Sequence, residues 1–126
     1  MNSKTILVVE DNELNMKLVV ALLKMGQYSP LQASDAETGI QLARENNPDL
    51  ILMDIQLPGM DGLSAAGVIK KDKNLQGIPV VALTSYAMHG DEKRALAAGC
   101  DGYIPKPINT REFLEYISGY FNGNHS

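Results

Sequence analysis

The sequence predicts a doubly wound α/β domain, with five parallel strands in the spatial order 2-1-3-4-5 and five helices. Three observations lead there. Short aliphatic runs alternate with longer amphipathic stretches from Lys4 to Phe121, without linker, low-complexity tract or internal repeat. Thr5–Val9, Leu50–Met53 and Val80–Leu83 are nearly unbroken apolar runs, which suits strands covered by helices on both faces. Two further runs are weaker: Tyr28–Ala33 contains Pro30, and Gly102–Ile104 is very short. Proline is tolerated on an edge strand and hardly elsewhere, so these two belong at the sheet edges.

The intervening helices have readable ends. The first runs from about Asn12 to Met25, where Gly26 is expected to take the left-handed position that ends a helix. The second starts at Ser34 with Glu37 three residues on, a capping-box spacing. The third follows Gly62. The fourth opens over Met88–Glu92, with acids that complement its dipole, and ends at Gly99. The fifth starts at Asn109 with Glu112 in the capping-box position and carries Phe113, Leu114 and Ile117 on one face. Alternating strands and helices imply right-handed crossovers. The strand order then reverses between the first and third strands, and ligands bind at such a reversal, beyond the carboxyl ends of the strands.

Composition narrows the classes of function. A chain of 126 residues that is 44% apolar suits one domain, spanning 1–126 with its core at about 4–121. The formal charge of -4 removes the attraction to phosphate backbones that direct nucleic-acid binding needs. A lone Cys100 excludes an intramolecular disulfide scaffold. There is no signal-peptide pattern and no apolar run that would cross a bilayer, so a soluble, cytoplasmic protein is expected.

Polar groups converge on one rim. The first strand ends in Glu10-Asp11, the third in Asp54 and the fourth in Thr84, while Lys106-Pro107 follows the fifth. Two carboxylates about 4 Å apart repel by roughly 4 kcal/mol at an effective dielectric near 20, so three of them call for a cation. Oxygen ligands at a partly hydrated rim favour Mg2+ over calcium. Lys106 adds a point charge suited to a carboxylate or a phosphoryl oxygen. In that setting Asp54 is a plausible nucleophile for phosphoryl transfer, forming an acyl phosphate. A single Asp at a strand end is usually only a turn-former, but four strand ends here carry the parts of one site.

Val8-Val9-Glu10-Asp11-Asn12, Leu52-Met53-Asp54-Ile55-Gln56-Leu57-Pro58-Gly59-Met60-Asp61-Gly62, Ala82-Leu83-Thr84-Ser85 and Tyr103-Ile104-Pro105-Lys106-Pro107 resemble the receiver domain of bacterial response regulators. The likeness covers essentially the whole chain. Glu10–Leu18 and Pro48–Pro58 look especially like single-domain regulators of the DivK type, and receivers fused to hybrid histidine kinases carry similar text.

The resemblance implies a set of roles. Asp54 is the phosphoacceptor, Asp11 the direct magnesium ligand, and Glu10 acts through a metal-bound water. The backbone carbonyl of Gln56 completes the protein ligands. Lys106 pairs with the acceptor and then with the phosphoryl group, across a cis Lys106-Pro107 bond. Thr84 and Tyr103 form a switch: Thr84 moves toward the phosphoryl charge, and Tyr103 rotates into the space it leaves. Gln56, Ser85 and Tyr86 tune how readily water attacks the acyl phosphate. The implied partners are a sensor histidine kinase or histidine phosphotransfer protein, docking near the rim through Leu14, Met16 and Leu18, and a downstream protein target. A monomer or weak dimer is expected. The receiver core takes up the chain, so no output domain is expected and the signal leaves through a protein partner or a further relay.

Other features are read plainly. Pro58-Gly59-Met60-Asp61-Gly62 is a turn-rich loop. His89 and His125 lack a second ligand at metal spacing, and the six methionines read as gap-fillers. Cys100 reads as a small, semi-buried residue. Two competing functions stay open: a receiver-fold scaffold that ignores phosphate, and a Mg2+-dependent phosphohydrolase or nucleic-acid-cleaving domain. The second would need an aspartate pair two residues apart, which neither Glu10-Asp11 nor Asp54-Ile55-Gln56 supplies.

Overall fold

The computed structural model describes residues 4–57, 59–84 and 91–121. The elements run β1 (Thr5–Val9), α1 (Glu13–Met25), β2 (Ser29–Ala33), α2 (Ala36–Asn46), β3 (Leu50–Asp54), α3 (Gly62–Lys71), β4 (Val80–Thr84), α4 (Asp91–Ala97), β5 (Gly102–Pro105) and α5 (Thr110–Gly119). All strand pairings are parallel, in the order β2-β1-β3-β4-β5. The three aliphatic runs are the central strands, and the proline-bearing and short segments are the edges.

Alternation along each strand divides the core in two. Leu7, Val9, Ile51, Met53, Val80 and Ala82 pack with α2 and α3 on one face, joined by Ala95 of α4. Ile6, Val8, Leu50, Leu52, Val81 and Leu83 pack with α1 and α5 on the other. Both faces are covered, which explains why every residue of β3 and β4 is buried. Truncating one of these side chains, such as Leu52→Ala, costs about 2–5 kcal/mol.

Two helix ends differ from expectation. Gly26 has φ -85, and the left-handed residue is Gln27, with φ 67. Gly26 is required for space: a Cβ there would lie 2.7 Å from Leu114 Cδ2 and 3.0 Å from the Tyr28 ring. The cap of α2 is Asp35, whose side chain accepts the Thr38 N–H at 2.8 Å, and not Ser34. A carboxylate one residue later is the stronger acceptor at a helix N-terminus. Gly99 does take positive φ, and Asn109 caps α5 through the Arg111 and Glu112 N–H groups.

Candidate functional site

Strand register alone brings the carboxylates together. Val8 of β1 is opposite Leu52 of β3, so Glu10 and Asp54, each two residues further on, emerge side by side on the same face. Ile104 of β5 is opposite Leu83 of β4, which is itself opposite Asp54 of β3. Lys106, two beyond Ile104, therefore rises on that face as well. Its Nζ lies 2.7 Å from Glu10 Oε1 and 3.0 Å from Asp54 Oδ2. The Lys106–Pro107 bond is cis, and the Lys106 N–H donates to the Thr84 carbonyl at 2.6 Å.

The remaining carboxylate oxygens are held by backbone donors. Asp54 Oδ1 accepts the Gln56 N–H at 2.9 Å, and Glu10 Oε2 accepts the Asn12 N–H at 3.2 Å. Glu10 and Asp54 are almost wholly buried, whereas Asp11 is exposed at the rim. Burial raises the pKa of Glu10, and the adjacent Asp54 carboxyl raises it further, against the lowering effects of Lys106 and the Asn12 N–H. For Lys106, burial pulls the pKa down. Its bonds to Glu10 and Asp54 outweigh that and leave the ammonium raised.

One ammonium does not balance this cluster. Oxygen atoms of Glu10, Asp11 and Asp54 lie within 4.8 Å of one another. The donors are hard carboxylate oxygens gathered at the rim, and they fit a hard divalent cation such as magnesium.

Thr84 ends β4 beside this rim, with its side chain on the other face of the sheet. Ala82 is the register partner of Tyr103, and Thr84 lies two residues beyond Ala82 on the same face, which is where the Tyr103 ring packs. Thr84 is fully buried, and its hydroxyl has no hydrogen-bond partner among the described residues. A buried hydroxyl without a partner costs free energy that a nearby acceptor would recover.

Not every sequence expectation lies in this cluster. The Gln56 side chain is exposed; its backbone N–H is what touches Asp54. Ser85 and Tyr86 fall outside the described residues, as do Pro58, His89 and His125. Leu14 and Leu18 are exposed, at 76% and 38%, but Met16 is buried against the α1–α5 core and offers nothing to a docking partner. Gly62 also belongs to the site, though no sequence motif marks it as such. A Cβ there would overlap the Asp54 carbonyl oxygen and sit 2.6 Å from Ile55 Cα, so glycine lets α3 start against the acceptor's own backbone. Only its position after the Asp61 cap hinted at this.

The family profile of the response regulator receiver domain matches residues 6–118. The chain belongs to the response regulator receiver family. Receivers are the signalling modules of two-component systems, and this chain is one of them. The polar-differentiation response regulator DivK of Brucella ovis is 47% identical over 118 residues, covering 94% of this chain and 96% of its own length. DivK of Brucella anthropi is 47% identical over 117 residues, covering 93% and 95%. Among solved structures, the receiver domain of a Pseudomonas aeruginosa sensor histidine kinase, with magnesium coordinated in its active-site cleft, has a TM-score of 0.88. It is 33% identical, covering 94% of this chain and 98% of that one. The receiver of Ssk1 from Saccharomyces cerevisiae, crystallised with the histidine phosphotransfer protein Ypd1, has a TM-score of 0.86. It is 28% identical, covering 94% and 88%. Among the described residues, no helix is long and apolar enough to cross a membrane.

Proposed function

We infer that this receiver accepts a phosphoryl group on Asp54 from a phosphohistidine and uses it to change a protein-binding surface. The convergence of Glu10, Asp54 and Lys106 in one buried charge cluster, with Asp11 at its mouth, carries this reading. An Asp54 carboxylate oxygen attacks phosphorus, and the P–N bond to the donor imidazole breaks. The imidazole nitrogen keeps that electron pair and takes a proton. The products are an aspartyl phosphate and a neutral histidine.

The chain's own groups prepare that step. The Gln56 N–H fixes one acceptor oxygen and Lys106 holds the other. As the phosphoryl group arrives, Lys106 exchanges its bond to Asp54 for one to a phosphoryl oxygen while Glu10 retains it. Magnesium, when bound by Glu10, Asp11, Asp54 and the Gln56 carbonyl, supplies charge neutralisation for the incoming phosphoryl oxygens. The buried hydroxyl of Thr84 gains an acceptor. Its movement frees space on the face it shares with Tyr103, and Tyr103 turns inward. Gln56, Ser85 and Tyr86 set the lifetime by their access to attacking water.

The donor is a histidine kinase or phosphotransfer protein, seated over the rim on Leu14 and Leu18 of α1. The protein acts in the cytoplasm as a monomer or weak dimer, and its negative charge directs its output to a protein. It catalyses only its own phosphorylation and dephosphorylation. Incubation with Mg2+ and a small phosphoramidate, followed by intact mass, tests this. One phosphate gained by the wild type and none by Asp54→Asn is the expected result. No gain with any donor leaves a scaffold, and multiple turnover of an external phosphate ester would make it an enzyme.

A further inference from the structure

β5 is an open edge of the sheet, and an edge strand presents backbone groups that a foreign strand could pair with. Here one of them, a backbone N–H, is already taken. The Tyr103 N–H donates to the Tyr116 hydroxyl of α5 at 3.2 Å. That hydroxyl is 3.3 Å from the hydroxyl of Tyr120, one helical turn on, and Tyr120 in turn donates to the Asp101 carbonyl at 3.4 Å. With the Tyr120 proton directed at Asp101, the chain runs one way: Tyr103 N–H to Tyr116 to Tyr120 to the Asp101 carbonyl.

Between the two anchored residues stands Gly102, and a Cβ there would overlap both tyrosine hydroxyls. The glycine is therefore the opening through which α5 reaches the strand. The two rings pack at 5.7 Å with a 57° tilt, which holds the hydroxyls as a unit. The ring of Tyr103 packs on the opposite face, with the α2–α3 core. Its backbone is thus fixed from the α5 side while its side chain faces the other way.

We propose that Tyr116, seated through Gly102 and backed by Tyr120, is a positioning residue that fixes the β5 backbone about which Tyr103 turns. This rests on the reading of Tyr103 as the switch. The clasp restrains the unphosphorylated arrangement, so α5 and Tyr103 respond together.

Two variants test it by different routes. Tyr116→Phe removes the hydroxyl and keeps the ring; Gly102→Ala keeps both hydroxyls and displaces them. In each, hydrogen exchange at the Tyr103 amide should accelerate by about tenfold, the effect of losing one hydrogen bond, while amides within β3 and β4 keep their rates. A merely structural loss would accelerate them all. The Tyr103 ring resonances of unphosphorylated Tyr116→Phe should also shift part of the way toward their phosphorylated positions. Unchanged Tyr103 amide exchange in both variants, or acceleration shared by the whole sheet, overturns the proposal and leaves the switch reading standing. A wild-type Tyr103 ring that ignores phosphorylation overturns the switch reading, and the positioning role falls with it.

Discussion

Replacing Lys106 with methionine removes the one cation that pairs with the buried carboxylates among the described residues, while keeping an aliphatic stem of similar size. Lys106 is 13% exposed and its partners Glu10 and Asp54 are 0% and 4% exposed, so solvent screens neither pair well. Removing one partner of a buried ion pair costs about 3–5 kcal/mol, because a charge is left behind. Here two carboxylates remain, and they repel by roughly 4 kcal/mol at an effective dielectric near 20. The variant has one escape, protonation of Glu10, whose pKa burial and Asp54 already raise. Each pH unit above that pKa adds about 1.4 kcal/mol to the cost of protonating it. The penalty of Lys106→Met therefore shrinks as pH falls and grows as pH rises. The wild-type lysine shows the opposite limit. Its raised pKa means that its contribution is full below the ordinary lysine value and is lost only as pH rises through the folded one. Urea unfolding in chelator should give a loss of about 3–5 kcal/mol near pH 8 and clearly less near pH 5. A loss below about 1 kcal/mol, or one equal at both pH values, would refute the charge-cluster reasoning.

Three further outcomes follow from particular contacts. Thr84→Val removes a buried hydroxyl with no partner among the described residues, so it should stabilise the unphosphorylated protein by about 1–2 kcal/mol in urea unfolding and abolish the Tyr103 response to phosphorylation by NMR. Gly62→Ala forces a Cβ against the backbone of Asp54 and Ile55; about 1–3 kcal/mol of stability should be lost, with the Asp54 resonances displaced. Burial, then Asp101, push the Cys100 thiol up to about 11 against the pull of Lys70. Native protein should resist a thiol reagent near pH 8 and react only on unfolding; the stability of the protonated thiol is full below the ordinary thiol pKa and is lost as pH rises toward 11.

Aliphatic runs identified the central strands because β3 and β4 are buried on both faces and carry apolar side chains at every position before their last. Strand ends then pointed to the cluster of Glu10, Asp11, Asp54 and Lys106, since parallel strands present their carboxyl ends together. What sequence reading lost was set by contacts between distant residues. Gly26 was assigned a backbone role, yet the left-handed turn is at Gln27 and the glycine makes room for Leu114. Met16 reads as a companion of Leu14 and Leu18, but a residue two places from Leu14 points toward the core instead of sharing its face. Gly62 and Tyr116 carry no motif of their own; their importance appears only once Asp54 and Gly102 are opposite them. Asp35 displaced Ser34 as a cap because both are good acceptors and the choice depends on where β2 stops.

The proposed function requires that Asp54, and no other side chain, carry the phosphoryl group. Borohydride reduction of the phosphorylated protein converts an aspartyl phosphate to homoserine, and peptide mass mapping then locates it. Homoserine is expected at position 54 and nowhere else, dependent on Mg2+. Homoserine at Asp11 or any other position, or a phosphorylated protein that yields none, would contradict that function.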